Sequence, residues 1–139
     1  MAISATLRRQ VIERAGNRCE YCCLAQTGQE ATFHIDHVLP VVAGGRTAVE
    51  NLALACVSCS LRKGARMVSR DPQTGEHAAL FNPRIASWET HFRWEGVWVV
   101  GTTPTGRATV LALSMNRLLA LAIRKEEAHR GRHPPQTYL

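Results

Sequence analysis

Two Cys-x-x-Cys pairs constrain the fold of this chain more than any other feature of its sequence. Cys19 and Cys22 form the first pair, and Cys56 and Cys59 form the second. Two thiolates at this spacing reach one tetrahedral ion from a single tight knuckle, and two such pairs complete a closed zinc site. The sequence therefore predicts a structural Zn²⁺ ion, with Cys23 left over as a small hydrophobic residue. The alternative is a set of buried free cysteines.

Length and cysteine content agree with a metal-stabilised domain. The chain has 139 residues, which fits one domain or a compact core with an appended module. Its N-terminal half alone would be marginally stable without a covalent or metal staple. Neither a secretory signal nor an apolar stretch of membrane-spanning length is present, so the cysteines indicate a reducing compartment. We expect a cytoplasmic, nucleoid-associated protein without a membrane partner.

The charge distribution favours a polyanionic partner. The formal net charge is +6 and the sequence pI is about 9.6. The basic excess lies in residues 1–70 and 101–139, whereas residues 71–100 are net acidic. Such a distribution suits a nucleic acid, and ordinary solubility charge is the alternative.

Local patterns divide the chain near residue 70. Ser4 is placed to cap a helix that runs to about Ala15, and residues 31–38 and 51–55 have the composition of short strands. A helix is expected from Val57 to about Met67. The turn residues at 71–75 then suggest a boundary, with a core at 1–70 and an α+β extension at 71–139.

In the extension, one strand is expected at residues 97–100. A Leu- and Ala-rich helix is expected over 108–129, with a break near residues 116–117.

An acid and two imidazoles lie between the cysteine pairs. Asp36 offers the hard oxygen that Mg²⁺ or a similar ion prefers, and His37 has the reference pKa of a general base at neutral pH. Because neighbours in a regular strand point to opposite faces, a local bend is needed for both to serve one site. His34 shares the strand face of Asp36, either as a further ligand or as an ordinary histidine. The Asn51 amide is placed to fix the imidazole or its loop.

These residues, in this order, resemble a known nuclease family. The resemblance extends over about residues 7–68 and rests on His34, Asp36, His37, Pro40, Gly44, Gly45, Asn51, Leu52, Cys56, Cys59, Lys63 and Gly64. They are similar to HNH endonucleases of the zinc-bound ββα-metal type. The resemblance implies an α+β fold with a treble-clef-like ββα-metal core around a Cys₄ zinc site. It leaves the C-terminal segment as one short strand or hairpin with helices.

The resemblance also implies roles for individual residues. Asp36 becomes a ligand of the catalytic ion, His37 the base that activates water, and Asn51 the central asparagine that supports the histidine and its loop. The residue after the last zinc cysteine is usually Asn or His and completes the catalytic site, but here it is Ser60. The third ligand therefore stays open between Ser60, His34 and water.

The implied activity is hydrolysis of DNA phosphodiester bonds, on duplex DNA, with one Mg²⁺ or Mn²⁺ ion. Arg62, Lys63 and Arg66 follow the last zinc cysteine and are predicted to bind flanking phosphates. One alternative is a zinc-scaffolded nucleic-acid-binding module whose catalytic site has decayed at Ser60. A structural or protein-interaction module with the C-terminal helix as its interface is a third reading. The sequence leaves monomer and homodimer equally open.

Overall fold

The computed structural model describes residues 3–136 as a mixed α+β protein. Its elements in chain order are α1 (Ala5–Arg14), β1 (His34–His37), β2 (Leu52–Ala55), α2 (Val57–Lys63), β3 (Val68–Arg70), β4 (His77–Ala79), α3 (Trp88–His91), β5 (Phe92–Glu95), β6 (Trp98–Gly101), α4 (Pro104–Ala112) and α5 (Leu118–His129). The strands form three separate two-stranded antiparallel sheets. The expected α+β class is confirmed.

The first hairpin and the helix after it form the ββα unit. In register, Asp36 pairs with Ala53 and His37 pairs with Leu52. All four residues of β2 are buried, because this strand lies between β1 and α1. Cys56 then caps α2, its sulfur accepting a hydrogen bond from Cys59 N. The register of the hairpin places Asp36 and His37 at the end of β1, opposite the start of β2.

Helix α1 forms as its sequence predicts. The Ser4 hydroxyl accepts a hydrogen bond from Leu7 N and so satisfies one of the free amides of the first turn. Val11 is fully buried against the core. Arg14, in the last turn, donates to the carbonyl oxygens of Val49 and Leu52, which ties α1 to the start of β2.

At the boundary between the core and the extension, the structure contains a hairpin that the sequence did not reveal. Helix α2 ends at Lys63, and the expected continuation to Met67 is wrong, because Gly64 takes a positive φ of 52° and stops the helix. Strands β3 and β4 follow and pair across residue 70, the expected boundary. The extension therefore contains the hairpin β5–β6 and also β4, which pairs with β3 from the other side of residue 70.

An ion pair fastens this first extra hairpin to α4. The buried Asp71 carboxylate, in the turn between β3 and β4, accepts two hydrogen bonds of 2.9 Å from Arg107. These hydrogen bonds hold the pKa of Asp71 well below its usual range. The carboxylate therefore remains ionised throughout the neutral range.

The C-terminal helices divide where the break was expected. Helix α4 starts earlier than predicted, at Pro104, because the Thr103 hydroxyl caps it by accepting from Gly106 N. Asn116 lies in the linker to α5 and pairs with the backbone of Val99 through both atoms of its amide. The linker is therefore fixed to β6.

One hydrophobic cluster joins the core and the extension. The Phe81 ring packs edge-on against Tyr21, with centroids 6.4 Å apart, and against Phe92, with centroids 5.2 Å apart. The Trp88 indole donates to the carbonyl oxygen of Tyr21. The division into domains 1–70 and 71–139 stays a prediction. Among the described residues, no helix is both long and apolar enough to cross a bilayer.

Candidate metal centre and catalytic cavity

Four buried cysteines converge as the sequence predicted. The sulfur atoms of Cys19, Cys22, Cys56 and Cys59 all lie within 4.8 Å of one another. A tetrahedral zinc ion with Zn–S bonds of about 2.3 Å requires sulfurs separated by roughly 3.8 Å. The Cys22 and Cys56 sulfurs are 3.7 Å apart. Their number, chemistry and spacing fit a closed structural site for one metal ion.

Each cysteine pair also carries the backbone geometry of a metal knuckle. Cys22 N lies 3.5 Å from the Cys19 sulfur, and Cys59 N lies 3.4 Å from the Cys56 sulfur. The amide of the second cysteine thus points at the sulfur of the first, which stabilises negative charge on that sulfur. Cys23 lies outside the cluster, as expected.

The loop between β1 and β2 is held closed by Asn51. Its side-chain oxygen accepts from Leu39 N at 2.9 Å, and its amide nitrogen donates to the carbonyl oxygens of Leu39 and Arg46. A Cβ atom at Gly45 would lie 1.7 Å from the Leu39 oxygen, so only glycine fits this turn. The Asn51 amide was expected to fix either the His37 imidazole or the loop around it, and its hydrogen bonds in the structure go to the loop.

The acid and the imidazole border one cavity at the end of β1. This cavity has a volume of about 250 Å³, and its lining includes Asp36, His37 and Ser60. The strand pairing is regular through His37, so no bulge within β1 provides the expected bend. Both residues reach the cavity because the strand ends at His37 and the loop turns back over it from Pro40 to Val42.

The Asp36 carboxylate is already engaged by two side chains. The Tyr21 hydroxyl donates to Oδ2 at 2.8 Å, and the Lys63 ammonium lies 3.1 Å from Oδ2 and 3.4 Å from Oδ1. Burial raises the pKa of Asp36, although the ammonium and the hydroxyl act in the opposite direction. Asp36 is only 8% exposed and Lys63 only 2%. The pair is therefore a buried ion pair at the floor of the cavity.

The burial of Lys63 corrects its expected place on a phosphate-binding face. Its Nζ also donates to the carbonyl oxygen of His37 at 3.1 Å, so the ammonium points inward. Arg62 and Arg66 are exposed, as predicted. Arg66 lies beyond the end of α2 and donates to the Arg62 and Ala112 carbonyl oxygens, which leaves Arg62 as the freer cation of the two.

Thr47 fixes one nitrogen of the His37 ring. The His37 Nε2 atom lies 2.8 Å from the Thr47 hydroxyl oxygen. A hydrogen bond at one ring nitrogen sets which tautomer is present at the other. When Nε2 carries the proton and donates it to Thr47, Nδ1 is the basic nitrogen.

Ser60 connects this cavity with a second one. Its hydroxyl is hydrogen-bonded to His34 Nδ1 at 3.0 Å, and Ser60 also borders a neighbouring cavity with His34 and Arg8. Of the two candidates for the third ligand, Ser60 is therefore the one that borders the cavity of Asp36. His34 reaches that cavity only through its hydrogen bond to Ser60.

Sequence reasoning missed three residues of this region, namely Tyr21, Thr47 and Arg8. Tyr21 lies inside the first cysteine knuckle, and its nearness to Asp36 depends on how the knuckle packs against β1. Arg8 comes from α1, and its guanidinium donates to the carbonyl oxygen of Phe33, just before β1. No local pattern in the sequence marks these contacts, since all three span long stretches of chain.

Replacement of Lys63 by Met should destabilise the protein strongly. Removing one partner of a buried ion pair leaves an uncompensated charge and costs about 3–5 kcal/mol. Urea unfolding should show this loss for Lys63→Met but not for Lys125→Met, an exposed lysine. Mn²⁺ should restore part of the lost stability if Asp36 accepts a divalent ion. A loss below about 1 kcal/mol would contradict the buried pair.

The comparisons with known proteins identify the same segment. Residues 19–66 match the family model described as HNH endonuclease. This match begins at the first cysteine of the metal cluster and ends just after α2, so it includes both knuckles, the β1–β2 hairpin and the cavity. It confirms the resemblance seen in the sequence. No curated protein and no solved structure matches the chain.

Proposed function

We propose that the chain, whose residues 19–66 match the HNH endonuclease family model, is a metal-dependent endonuclease that hydrolyses phosphodiester bonds in duplex DNA. The observation that supports this most directly is the shared cavity of His37, Asp36 and Ser60 at the end of β1. It combines a base, a carboxylate and a hydroxyl at one opening on the surface. On this proposal the protein acts in the cytoplasm, associated with the nucleoid.

The metal held by the four cysteines is proposed to be structural zinc. Four thiolates close the coordination shell and leave no position for substrate or water, so such an ion stabilises the fold and takes no part in hydrolysis. The β1–β2 hairpin lies between the two knuckles in sequence. Zinc binding therefore fixes both ends of the segment that carries the catalytic cavity.

The donor set at the cavity fits a second, hard divalent cation such as Mg²⁺ or Mn²⁺. Asp36 and Ser60 provide oxygen ligands, and Tyr21 supports the carboxylate from its Oδ2 side, as partners of ligating carboxylates commonly do. When bound, the ion would act as a Lewis acid that neutralises charge on the phosphate. His34 is proposed to orient the Ser60 hydroxyl.

The hydrolytic step is assigned to His37. With Nε2–H donated to Thr47, Nδ1 accepts a proton from a water molecule, whose oxygen attacks the phosphorus. The bond from phosphorus to the leaving 3′-oxygen breaks, and that oxygen takes up a proton from solvent. The products are a 5′-phosphate and a 3′-hydroxyl. Asn51 contributes by holding the loop that carries Thr47 and closes over the imidazole.

Basic residues of α1 and of the segment around the end of α2 are proposed to bind the DNA backbone. Arg62 and Arg66 are exposed, and Arg8 borders the cavity that adjoins that of Asp36. Contacts of this kind position the duplex without reading its sequence, and they make binding depend on salt concentration. The net charge of +6 favours the same partner.

The experiment that tests this function is cleavage of supercoiled plasmid DNA by the purified chain. Nicked or linear products should form with Mg²⁺ or Mn²⁺ and should be absent with the metal-free buffer. A matched single-stranded DNA and an RNA of the same sequence establish the preferred substrate. If the metal-loaded protein leaves all three intact, the endonuclease proposal is wrong.

A zinc-scaffolded binding module is the second candidate, and one observation favours it. The Lys63 ammonium already neutralises the Asp36 carboxylate, and the Ser60 hydroxyl is already hydrogen-bonded to His34. Both groups are therefore engaged before any metal ion binds. A site of this kind binds DNA in a salt-sensitive manner without cutting it. Retention of plasmid in a gel-shift assay, with no cleavage in any divalent metal, would support this candidate.

A further inference from the structure

Arg124 is a buried cation for which the described residues offer no carboxylate partner. Its side chain is 2% exposed, and its guanidinium donates to the carbonyl oxygens of Met115, Val97 and Cys22 and to the amide oxygen of Asn116. The salt bridges within residues 3–136 involve other side chains. Burying a charge without an opposite charge costs several kcal/mol, so an anion close to Arg124 is expected.

A second arginine on the same helix points to the identity of that anion. Arg117, the residue before α5, lies with its Nη2 atom 3.6 Å from the Cys56 sulfur. Arg124 follows seven residues later, about two helical turns, and its Nη2 atom lies 3.2 Å from the Cys22 carbonyl oxygen. The two guanidinium groups thus approach the cysteine cluster from one helix, and each contacts a different knuckle.

The charge of the metal-bound cysteine cluster and the charge of the two arginines are equal and opposite. Four thiolates around one Zn²⁺ ion carry a formal charge of −2, and two guanidinium groups carry +2. We propose that Arg117 and Arg124 are the counter-charges of the tetrathiolate metal site and that metal loading holds α5 on the core. This inference depends on the metal held by the cysteines and is independent of nuclease activity.

The proposal gives the extension a defined role. Arg117 and Arg124 bring two positive charges from the extension to the cysteine knuckles of the core, so the extension completes the metal site electrostatically. When the ion leaves and the four thiolates take up protons, the fixed negative centre is lost and Arg124 remains buried without a counter-charge. Trp94 reports on this event, because the Arg124 guanidinium lies 5.3 Å from the centre of its ring.

The test is the zinc affinity of the full chain, measured by competition with a chromophoric chelator. Partners outside the ligand shell typically change metal affinity 10- to 100-fold when replaced, so Arg117→Met and Arg124→Met should each weaken zinc binding by about that factor. Arg117→Lys should retain most of the affinity because it keeps the charge. Lys125→Met removes an exposed charge from the same helix and should leave the affinity within about twofold of wild type.

Leu113→Ala separates charge from packing. Leu113 is fully buried at the end of α4 and is uncharged, so its replacement loosens the extension without altering the counter-charge. Zinc affinity reduced by Leu113→Ala as much as by Arg117→Met would overturn the proposal, and so would wild-type affinity in both arginine variants. If Arg124→Met does not fold even with zinc, Arg117→Met and Arg117→Lys decide the question. Near-UV CD of the zinc-loaded variants confirms that the Trp94 environment is intact.

Discussion

Removal of the metal from the cysteine cluster should unfold residues 19–59. The far-UV and near-UV CD signals of the full chain should both fall when a strong chelator extracts the ion. Zinc binding to structural sites contributes about 10–16 kcal/mol to folding, whereas a native domain has only about 5–15 kcal/mol of net stability. The segment between the knuckles has two four-residue strands and two three-residue 3₁₀ helices, too little to remain folded without the ion.

Single replacements identify which cysteine sulfurs bind the metal that keeps this segment folded. Cys19→Ser should reproduce the chelator effect, because it removes one of the four ligands. Cys23→Ser is the matched control, since Cys23 lies next to Cys22 in the chain but outside the cluster. Added Zn²⁺ should restore the CD signals of the wild type. Unchanged spectra after verified metal loss would refute the structural assignment.

Those features that depend on neighbouring residues were predictable from the sequence. Ser4 caps α1 because a hydroxyl before a helix satisfies its first amides, and this needs no tertiary contact. The two cysteine knuckles and the Asn51-bound loop likewise follow from short-range spacing. The ββα arrangement was expected from the resemblance of these residues, in this order, to HNH endonucleases.

Features that depend on packing were not predictable. Lys63 stands among other basic residues at the end of α2, and only the fold shows that its ammonium turns inward to Asp36. Arg124 stands beside Lys125 in a helical pattern, and only the fold shows that it is buried against the first knuckle. A basic residue in a helical pattern is usually solvent-exposed, so a buried counter-charge carries no sequence signal.

The hairpin of β3 and β4 was missed for a different reason. Each strand has only three residues, which gives too short an alternation for a strand pattern to be recognised. Its stability comes from the turn, where Asp71 is bound by Arg107 from a distant helix. Asp71 and the residues after it did predict a turn, and the structure shows one strand before this turn and one after it.

Replacement of His37 by Ala should abolish cleavage while leaving the fold intact. General-base catalysis contributes about 10²- to 10⁴-fold to the rate, so product formation from plasmid DNA should fall by at least the lower figure. His37 is half-buried at the end of β1, and its backbone pairing to Leu52 does not depend on the side chain. The CD spectrum and the zinc content should therefore equal those of wild type.

His77→Ala is the control for loss of an imidazole, because His77 is exposed on β4 and lies outside both cavities. Its cleavage rate should equal that of wild type. DNA binding by His37→Ala should also be unchanged, since the basic residues proposed to bind the DNA backbone are untouched. Full cleavage by folded His37→Ala would assign the base to another group. Equal binding without cleavage in both wild type and variant would instead identify the binding module, because only then does His37 have no step to perform.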